Sequence, residues 1–329
     1  MILARAPLRI PLGGGGTDLP SYYSRFGGFF VSAAVNKYVF ININRPSADE
    51  FIRVKYSRYE QVTTVDQVQH ELVRESLKML NLGPSLEIGS MADVPAGTGM
   101  GTSGSYLVAL LLGLHSLKRD IVPTWQIAEE ACHVEIDLVG HPVGKQDQYI
   151  AAFGGLTCFE VERDGRVHVS PLRVPGRCVE DLRANTLLFY TGQTRRSLDI
   201  LEDQKQDTAT GKQNVVDSLH ITKQIGYEIK EALEDGDLVR YGELLHRHWL
   251  NKKRRSDKIS DPSVDRCYDL ARSKGALGGK VMGAGGGGFL MLFTTPEAKQ
   301  GVREAMAAEG LREMPFDFDL DGAKVLVNF

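Results

Sequence analysis

Apolar and polar positions alternate along much of the first hundred residues. Short runs such as ILARAPLRI (2–10), YVFINI (38–43), FIRVKYS (51–57) and SLEIGSM (85–91) read as strands. One helical window, 65–80, interrupts them. After residue 100 the period lengthens, and helices are predicted near 103–117 and 123–139. GGLTCFEVERDGRVHVSPL (154–172) reads as a hairpin turning at Asp164-Gly165, and TLLFYTG (186–192) as a short apolar strand. A long helical region spans 197–256. The tail holds a strand at 279–282, the glycine run GAGGGG, the strand FLMLF and a helix over 296–308. It ends in a strand pair, PFDFDL and AKVLVNF, around Asp321-Gly322. Clustered strands with helices packed on one side predict an α+β fold rather than regular βαβ alternation. A domain boundary is expected near 165–185, dividing the chain into 1–175 and 176–329.

Composition narrows the function classes. A net charge of −3 provides no basic field to attract nucleic acid or anionic lipid. The longest apolar run, 106–114, is too short to span a bilayer. The start, MILARAPLRI, has no cleavable signal pattern and leads straight into a strand. Cys132, Cys158, Cys178 and Cys267 lie far apart without metal-ligand spacing, as expected of reduced, buried thiols. A cytoplasmic protein with a small-molecule substrate is expected, with neither nucleic acid nor membrane as partner. The sequence selects neither monomer nor homodimer.

The richest stretch is DVPAGTGMGTSGSYLVALLLGL (93–114). Glycines let a ligand touch main-chain N–H groups, and the helix start that follows makes an anion site. Thr102 and Ser103 stand at that start, where a hydroxyl either caps the helix or reaches a phosphate or its Mg2+. GMGTSG also fits the dinucleotide fingerprint, but the preceding strand is partly polar and ends in Asp93-Val94-Pro95. No G-x-x-x-x-G-K-[ST] loop is present.

Two acids stand out beyond it. On a helix over 123–139, Gln126, Glu129, Glu130, His133 and Asp137 share a face expected to be solvated. Glu135 points nearly opposite, among Trp125, Ala128, Cys132 and Val139. An inward carboxylate is either half of an ion pair or a cation ligand. Twelve residues on, Asp147 follows the helix breakers Gly140, Pro142 and Gly144, two positions after Lys145. It is either a turn former or, beside that cation, a proton acceptor. Near the start, RAPLRIPLGGGGTDLP places Arg9 on a strand, four glycines against bare backbone, and Thr17 and Asp18 where sugar hydroxyls would find them.

Taken together these pieces resemble the GHMP kinase superfamily, with three motifs in order from end to end. APLRIPLGGGGTD is similar to A-P-G-R-x-x-x-x-G-E-H-T-D, with the Arg9-to-Asp18 spacing kept and Gly15 and Gly16 in place of Glu and His. PAGTGMGTSGS is similar to P-x-G-x-G-L-G-S-S-A, and KVMGAGGGGFLMLF to the C-terminal glycine loop that closes over the cleft. VEIDLVGHPVGKQDQY resembles the galactokinase segment with a metal-binding Glu and a catalytic Asp.

The resemblance implies a ribosomal-protein-S5-like N-terminal domain and a ferredoxin-like C-terminal domain, with the active site between them. It implies an ATP-dependent sugar kinase using Mg2+. Pro95, Gly97, Thr98, Gly99, Met100, Gly101, Thr102, Ser103 and Gly104 would bind ATP, and Ser103 and Glu135 the metal. Asp147 would be the base, with Arg9 and Lys145 stabilising charge. Gly14, Gly15, Gly16, Thr17, Asp18, Thr191, Arg195, Arg196, Gly285 and Gly286 would contact the sugar. LGGGGTD, GKQDQYIAAFGG and FYTGQTRRSLDIL are most similar to the heptose-phosphate kinases of the sugar-1-kinase branch, with fucokinase domains nearby. That branch implies phosphorylation of a heptose 7-phosphate at its anomeric C1 hydroxyl, on a route to activated heptose for capsule, lipopolysaccharide or S-layer glycan. Other sugar kinases of this fold, a non-catalytic ATP- and sugar-binding sensor, and a nicotinamide-dependent oxidoreductase are the competing functions. A phosphorylated substrate needs a second anion site. Thr191 to Arg196 is one candidate. The run Lys252 to Arg255 is either another or a solvated helix end, on a stripe with Tyr241, Leu245 and His248.

Overall fold

The structure, a computed structural model, describes residues 1–192, 197–210, 212–256 and 258–329. Strand β1 (Ile2–Gly13) is buried along nearly its whole length. It pairs antiparallel with β2 (Gly28–Asn44), a 17-residue strand, and the short helix α1 (Pro20–Phe26) connects them. Then come β3 (Ile52–Lys55), β4 (Tyr59–Val62), α2 (Glu71–Met79) and β5 (Leu86–Ala92). Three helices follow: α3 (Thr102–Lys118), α4 (Thr124–Cys132) and α5 (Gln146–Phe153). The hairpin of β6 (Leu156–Val161) and β7 (Val167–Pro171) forms as predicted. Next are α6 (Gly176–Asn185), β8 (Thr186–Tyr190), α7 (Ser197–Ala209), α8 (Gln213–Glu234), α9 (Leu238–Lys253) and α10 (Pro262–Ser273). The chain finishes with β9 (Ala276–Val281), β10 (Phe289–Thr294), α11 (Lys299–Ala308), β11 (Arg312–Glu313) and β12 (Lys324–Asn328).

The strands form two sheets. The larger runs β12-β1-β2-β5-β3-β4, with β6 also on β2 and β7 on β6; the smaller runs β11-β8-β10-β9. The expected terminal strand pair does not form. β12 pairs with β1 instead, and the segment before it makes a single bridge, Phe318 to Val35. The last strand of the chain therefore lies in the first sheet. The helix expected at 65–80 is a 3-10 turn, Val65–Gln67, followed by α2. The region 197–256 is three helices, the second and third separated where Gly236 and its neighbours turn the chain. Among the described residues no helix is long and apolar enough to cross a membrane.

One main core joins β1 and β2 to α3, α5, α8 and α9, and a second lies between the small sheet and α10 and α11. Helix α9 lies unusually close to β9. A Cβ on Gly278 would sit 2.0 Å from the Gly242 carbonyl oxygen, so only hydrogen fits there. That approach fixes the end of α9 relative to the strand. Gly278→Ala is expected to cost about 3 kcal/mol or more through overpacking, read as a Tm several degrees lower; an unchanged Tm would show that the helix rides freely on the strand.

Candidate active site

One cleft of about 740 Å³ gathers eleven of the predicted site residues, a volume in the range of small-molecule sites. Its first wall is the loop before α3. Gly97, Gly99 and Gly101 all have left-handed backbone, with φ of 78°, 79° and 79°. A Cβ on Gly99 would meet Met282 O at 2.7 Å, and one on Gly101 would meet Asp147 Cγ at 3.1 Å. No side chain caps α3, so its N-terminal N–H groups are left for an anion. Thr102 Oγ1 is buried without a partner at the same place. An orphaned hydroxyl beside an uncapped helix end on a bare backbone cradle fits a polyphosphate.

Gly97, Gly99, Gly101, Thr102 and Ser103 line the cleft; Pro95, Thr98, Met100 and Gly104 do not. Their roles are in the scaffold. Thr98 Oγ1 donates to Pro95 O at 2.9 Å, and Met100 is fully buried with its carbonyl accepting from Arg9 N. Gly104 gives Asp147 room: a Cβ there would lie 2.7 Å from Asp147 Cβ.

The second wall carries the acids. Helix α4 passes into a π-helical turn, His133–Leu138, before the chain breaks. Such wide turns recur at functional sites because they re-aim side chains. Glu135 emerges 2 % exposed, inward as predicted, with Oε1 2.5 Å from Ser103 Oγ. Gln148 Nε2 donates to its Oε2 at 2.8 Å, and His141 Nδ1 lies 3.5 Å from Oε1. The Glu135 and Glu71 carboxylates raise the pKa of His141. Adjacent carboxylate and hydroxyl oxygens are hard donors that fit Mg2+, and phosphate oxygens and water would complete its shell. The rest of the α4 phase is corrected. Trp125 is 58 % exposed rather than inward. Glu129 and Glu130 are not simply solvated, because α4 packs against α3 and α5: Glu130 meets His115 and Glu129 meets Lys145 and Tyr149.

Asp147 stands in the first turn of α5, just after the loop that the helix breakers form. Arg9 Nε and Nη2 both lie 2.7 Å from its Oδ1, and Arg9 Nη1 donates to Gly99 O at 2.5 Å. Both contacts fall on Oδ1, and Asp147 lines the cleft. Lys145 is not brought here. Its ammonium is held by both oxygens of Glu129, at 2.8 and 2.9 Å, and by Gly165 O at 2.7 Å.

Of the four-glycine loop, Gly15, Gly16 and Asp18 line the cleft. Asp18 accepts from Gly16 N at 2.8 Å and from Gln146 N at 3.0 Å. Burial raises its pKa, as does the Asp147 charge, against the lowering effect of those N–H bonds. Two expected contacts are corrected. Gly14 is pressed against the Phe29 backbone, with a Cβ position only 2.1 Å from Phe29 O. Thr17 is fully buried, its hydroxyl among Gly14 O, Phe29 O and Phe29 N. On the C-terminal side, Gly283 and Ala284 reach the cleft, whereas Gly285 and Gly286 do not. A Cβ on Gly285 would meet Ile259 O at 2.8 Å, and Gly286 N donates to that same oxygen. Thr191 is bound to Gly288 O through its N–H and hydroxyl and stays off the cleft. Arg195 and Arg196 lie outside the described residues.

The structure adds residues to the cleft. Lys252 and Arg255 face into it with His248, resolving the α9 stripe in favour of a cleft rather than a solvated end, and Lys280 on β9 joins them. Lys280 was the hidden one: its sole signal was a lysine in an otherwise apolar strand. His70 and Tyr106 line the cleft as well, with stacked rings 5.0 Å apart and with His70 Nδ1 and Tyr106 Oη buried and unpartnered.

The family model for the GHMP kinase N-terminal domain matches residues 66–155, and that for the C-terminal region matches 229–311. Together they take in more than half of the chain. The chain belongs to the GHMP kinases. It is an ATP-dependent kinase with the two-domain GHMP kinase fold. This GHMP kinase is 29% identical to a D-glycero-alpha-D-manno-heptose 7-phosphate kinase of Campylobacter jejuni, over 98% of both chains. It is 25% identical to an L-fucokinase/L-fucose-1-P guanylyltransferase of Bacteroides fragilis, over 93% of this chain and 36% of that one. It superposes on a crystal structure of a D-glycero-D-manno-heptose 1-phosphate kinase from Bacteroides thetaiotaomicron with a TM-score of 0.82 and 27% identity, each chain covered fully.

Ser103→Ala and Glu135→Gln are each expected to raise the Mg2+ concentration for half-maximal turnover by roughly tenfold or more. A Mg2+ titration left in place by both changes would show that these oxygens hold no ion.

Proposed function

We propose that this GHMP kinase transfers the γ-phosphoryl group of ATP to the anomeric C1 hydroxyl of D-glycero-D-manno-heptose 7-phosphate. The observation that carries the chemistry is the meeting of Asp147, fixed by Arg9, with the uncapped start of α3 in one cleft. The choice of acceptor is supported by the full-length similarity to a heptose 7-phosphate kinase and a heptose 1-phosphate kinase.

The N–H groups of the Gly97–Ser103 loop hold the nucleotide phosphates. Asp147 Oδ2 orients the sugar hydroxyl and takes its proton as the new O–P bond forms. The bond between the γ-phosphorus and the β–γ bridging oxygen breaks, and ADP leaves with that electron pair. Arg9 keeps the Asp147 carboxylate aimed and adds positive charge beside the transferring group. Ser103 and Glu135 would hold Mg2+, which supplies charge neutralisation on the phosphates when bound. Most of the acceleration in such transfers comes from positioning and electrostatics. The His70 and Tyr106 rings offer a flat, partly polar seat for a base.

Asp147→Asn keeps the shape and removes the proton acceptor. Its kcat is expected to fall by about 10²–10⁴-fold, with sugar and ATP binding changed only modestly; unaltered turnover would remove Asp147 from the mechanism. The acceptor is tested by ATP turnover against heptose 7-phosphate, the free heptose, fucose, mannose and galactose, with the phosphorylated position read by NMR. Heptose 7-phosphate is expected to be preferred, with the new phosphate on C1. Preference for fucose or galactose would make this another sugar kinase of the fold. ADP release with none of them would point to a nucleotide- and sugar-binding sensor.

A further inference from the structure

We infer that Arg255 and Lys280, backed by Lys252 and His248, form the seat for a second phosphate carried by the acceptor sugar, remote from the hydroxyl that reacts. The inference rests on the proposed function and names a subsite within it.

The four residues converge from two elements. His248 and Lys252 lie on α9 and Arg255 just beyond its end, spaced to share one face, and Lys280 projects from β9. All line the cleft, and none is more than 8 % exposed. Buried cations are ordinarily matched by carboxylates. Here, among the described residues, every hydrogen-bond partner is neutral. Arg255 Nε donates to Ser218 Oγ at 2.9 Å and its Nη2 donates to Thr222 Oγ1. Lys280 Nζ has one long bond, 3.3 Å, to Leu12 O. Lys252 Nζ reaches Val281 O at 3.2 Å and Gly283 O at 2.6 Å. The acids of the cleft are engaged elsewhere: Asp147 with Arg9, Glu135 with Ser103 and Gln148, Asp18 with backbone N–H groups. His248 gives an independent sign. It is 3 % exposed, yet both ring nitrogens lack a partner. A donor set this deep and this unsatisfied calls for an anion with several acceptor oxygens.

The neighbours of each cation divide the work. Arg255 Nη1 lies 3.1 Å from where a Cβ on Gly16 would be, and Lys280 is bonded to Leu12, so both adjoin the four-glycine loop beside Asp18. Lys252 instead touches Gly283, which packs on Gly99 of the nucleotide loop. The nucleotide phosphates already have the loop and the α3 N-terminus. Arg255 and Lys280 therefore serve the acceptor, and Lys252 lies between the two ligands. The titration behaviour agrees: burial, and then the positive charges of Arg9 and Arg255, lower Lys280 to about 7, and burial lowers Arg255 to about 10. Empty, the cluster repels itself; a phosphate dianion relieves it.

The test is equilibrium binding by calorimetry of heptose 7-phosphate and of free heptose to the full chain, with ATP binding measured in parallel. The proteins are wild type, Arg255→Met, Arg255→Lys and Lys280→Met. Wild type is expected to bind the phosphorylated sugar at least about 100-fold more tightly than the free one. Arg255→Met and Lys280→Met should each lose about 10–100-fold for the phosphorylated sugar alone, with Arg255→Lys recovering part. Lys280→Met gives up only one weak bond to the protein, so it guards against a folding defect at Arg255. Equal binding of the two sugars by wild type, or loss of ATP affinity rather than sugar-phosphate affinity in the variants, would overturn the seat. Failure of the proposed function looks different: phosphate-dependent binding lost in the variants, with NMR placing the new phosphate away from C1.

Discussion

Arg9 is the strut on which the site depends. It lies in the centre of β1, 4 % exposed, in a strand clamped between β2 and β12. Its backbone N–H donates to Met100 O and its Nη1 to Gly99 O, so the nucleotide loop is tied to the sheet at two points. Its Nε and Nη2 close on Asp147 at the start of α5. A planar fork with fixed donor directions can do this; a lysine has one mobile point charge and cannot hold two elements in register. The glycine loop before α3 and the Asp147 carboxylate are thus positioned by one side chain. Without it, the acid would lose its partner and the loop its tether, and breaking a buried pair from one side is costly.

That arrangement makes the cleft electrostatically incomplete by design of its sequence. Asp18, Asp147 and Glu135 line it along with Arg9, Lys252, Arg255 and Lys280. The acids are paired or hydrogen-bonded within the protein, while the C-terminal cations face neutral oxygens. Phosphoryl transfer brings a large negative charge and spreads it over oxygens in the transition state. A site whose positive groups are already oriented, and not spent on internal partners, meets that charge without reorganising.

How much of this was legible depends on how local the signal is. The α3 loop and Glu135 could be read because their cues are short-range: alternating glycines before an apolar helix, and a carboxylate out of phase with its face. Trp125 was misread by the same phase argument, since α4 ends in a wide turn and its start lies at the surface. Lys252 and Arg255 stayed ambiguous, because a basic helix end suits solvent and cleft equally and only the packing of α9 on β9 decides. Lys280 gave a single polar position in a strand, too little to act on. Lys145 was placed by nearness in sequence to Asp147, but its long side chain turns the other way to Glu129. The terminal strand pair failed because a turn-like Asp321-Gly322 says nothing of a competing partner at the other end of the chain, where Ile2 pairs with Asn328.

The third glycine motif shows the limit most clearly. Glycine leaves space, and sequence does not say for what. GAGGGG was expected to close over a ligand, yet much of its space is taken by the nucleotide loop itself. A Cβ on Gly288 would lie 2.2 Å from Thr98 O, and one on Gly283 would lie 2.7 Å from Gly99 Cα. The reverse holds for Gly99 against Met282. Two bare backbones are therefore pressed together, one from each half of the chain, and the second braces the first from behind. The motif acts through the loop it supports, and Lys252, bonded to Gly283 O, carries that brace on to the cationic wall. First glycine loop, brace and cationic wall are in this way one continuous set of contacts.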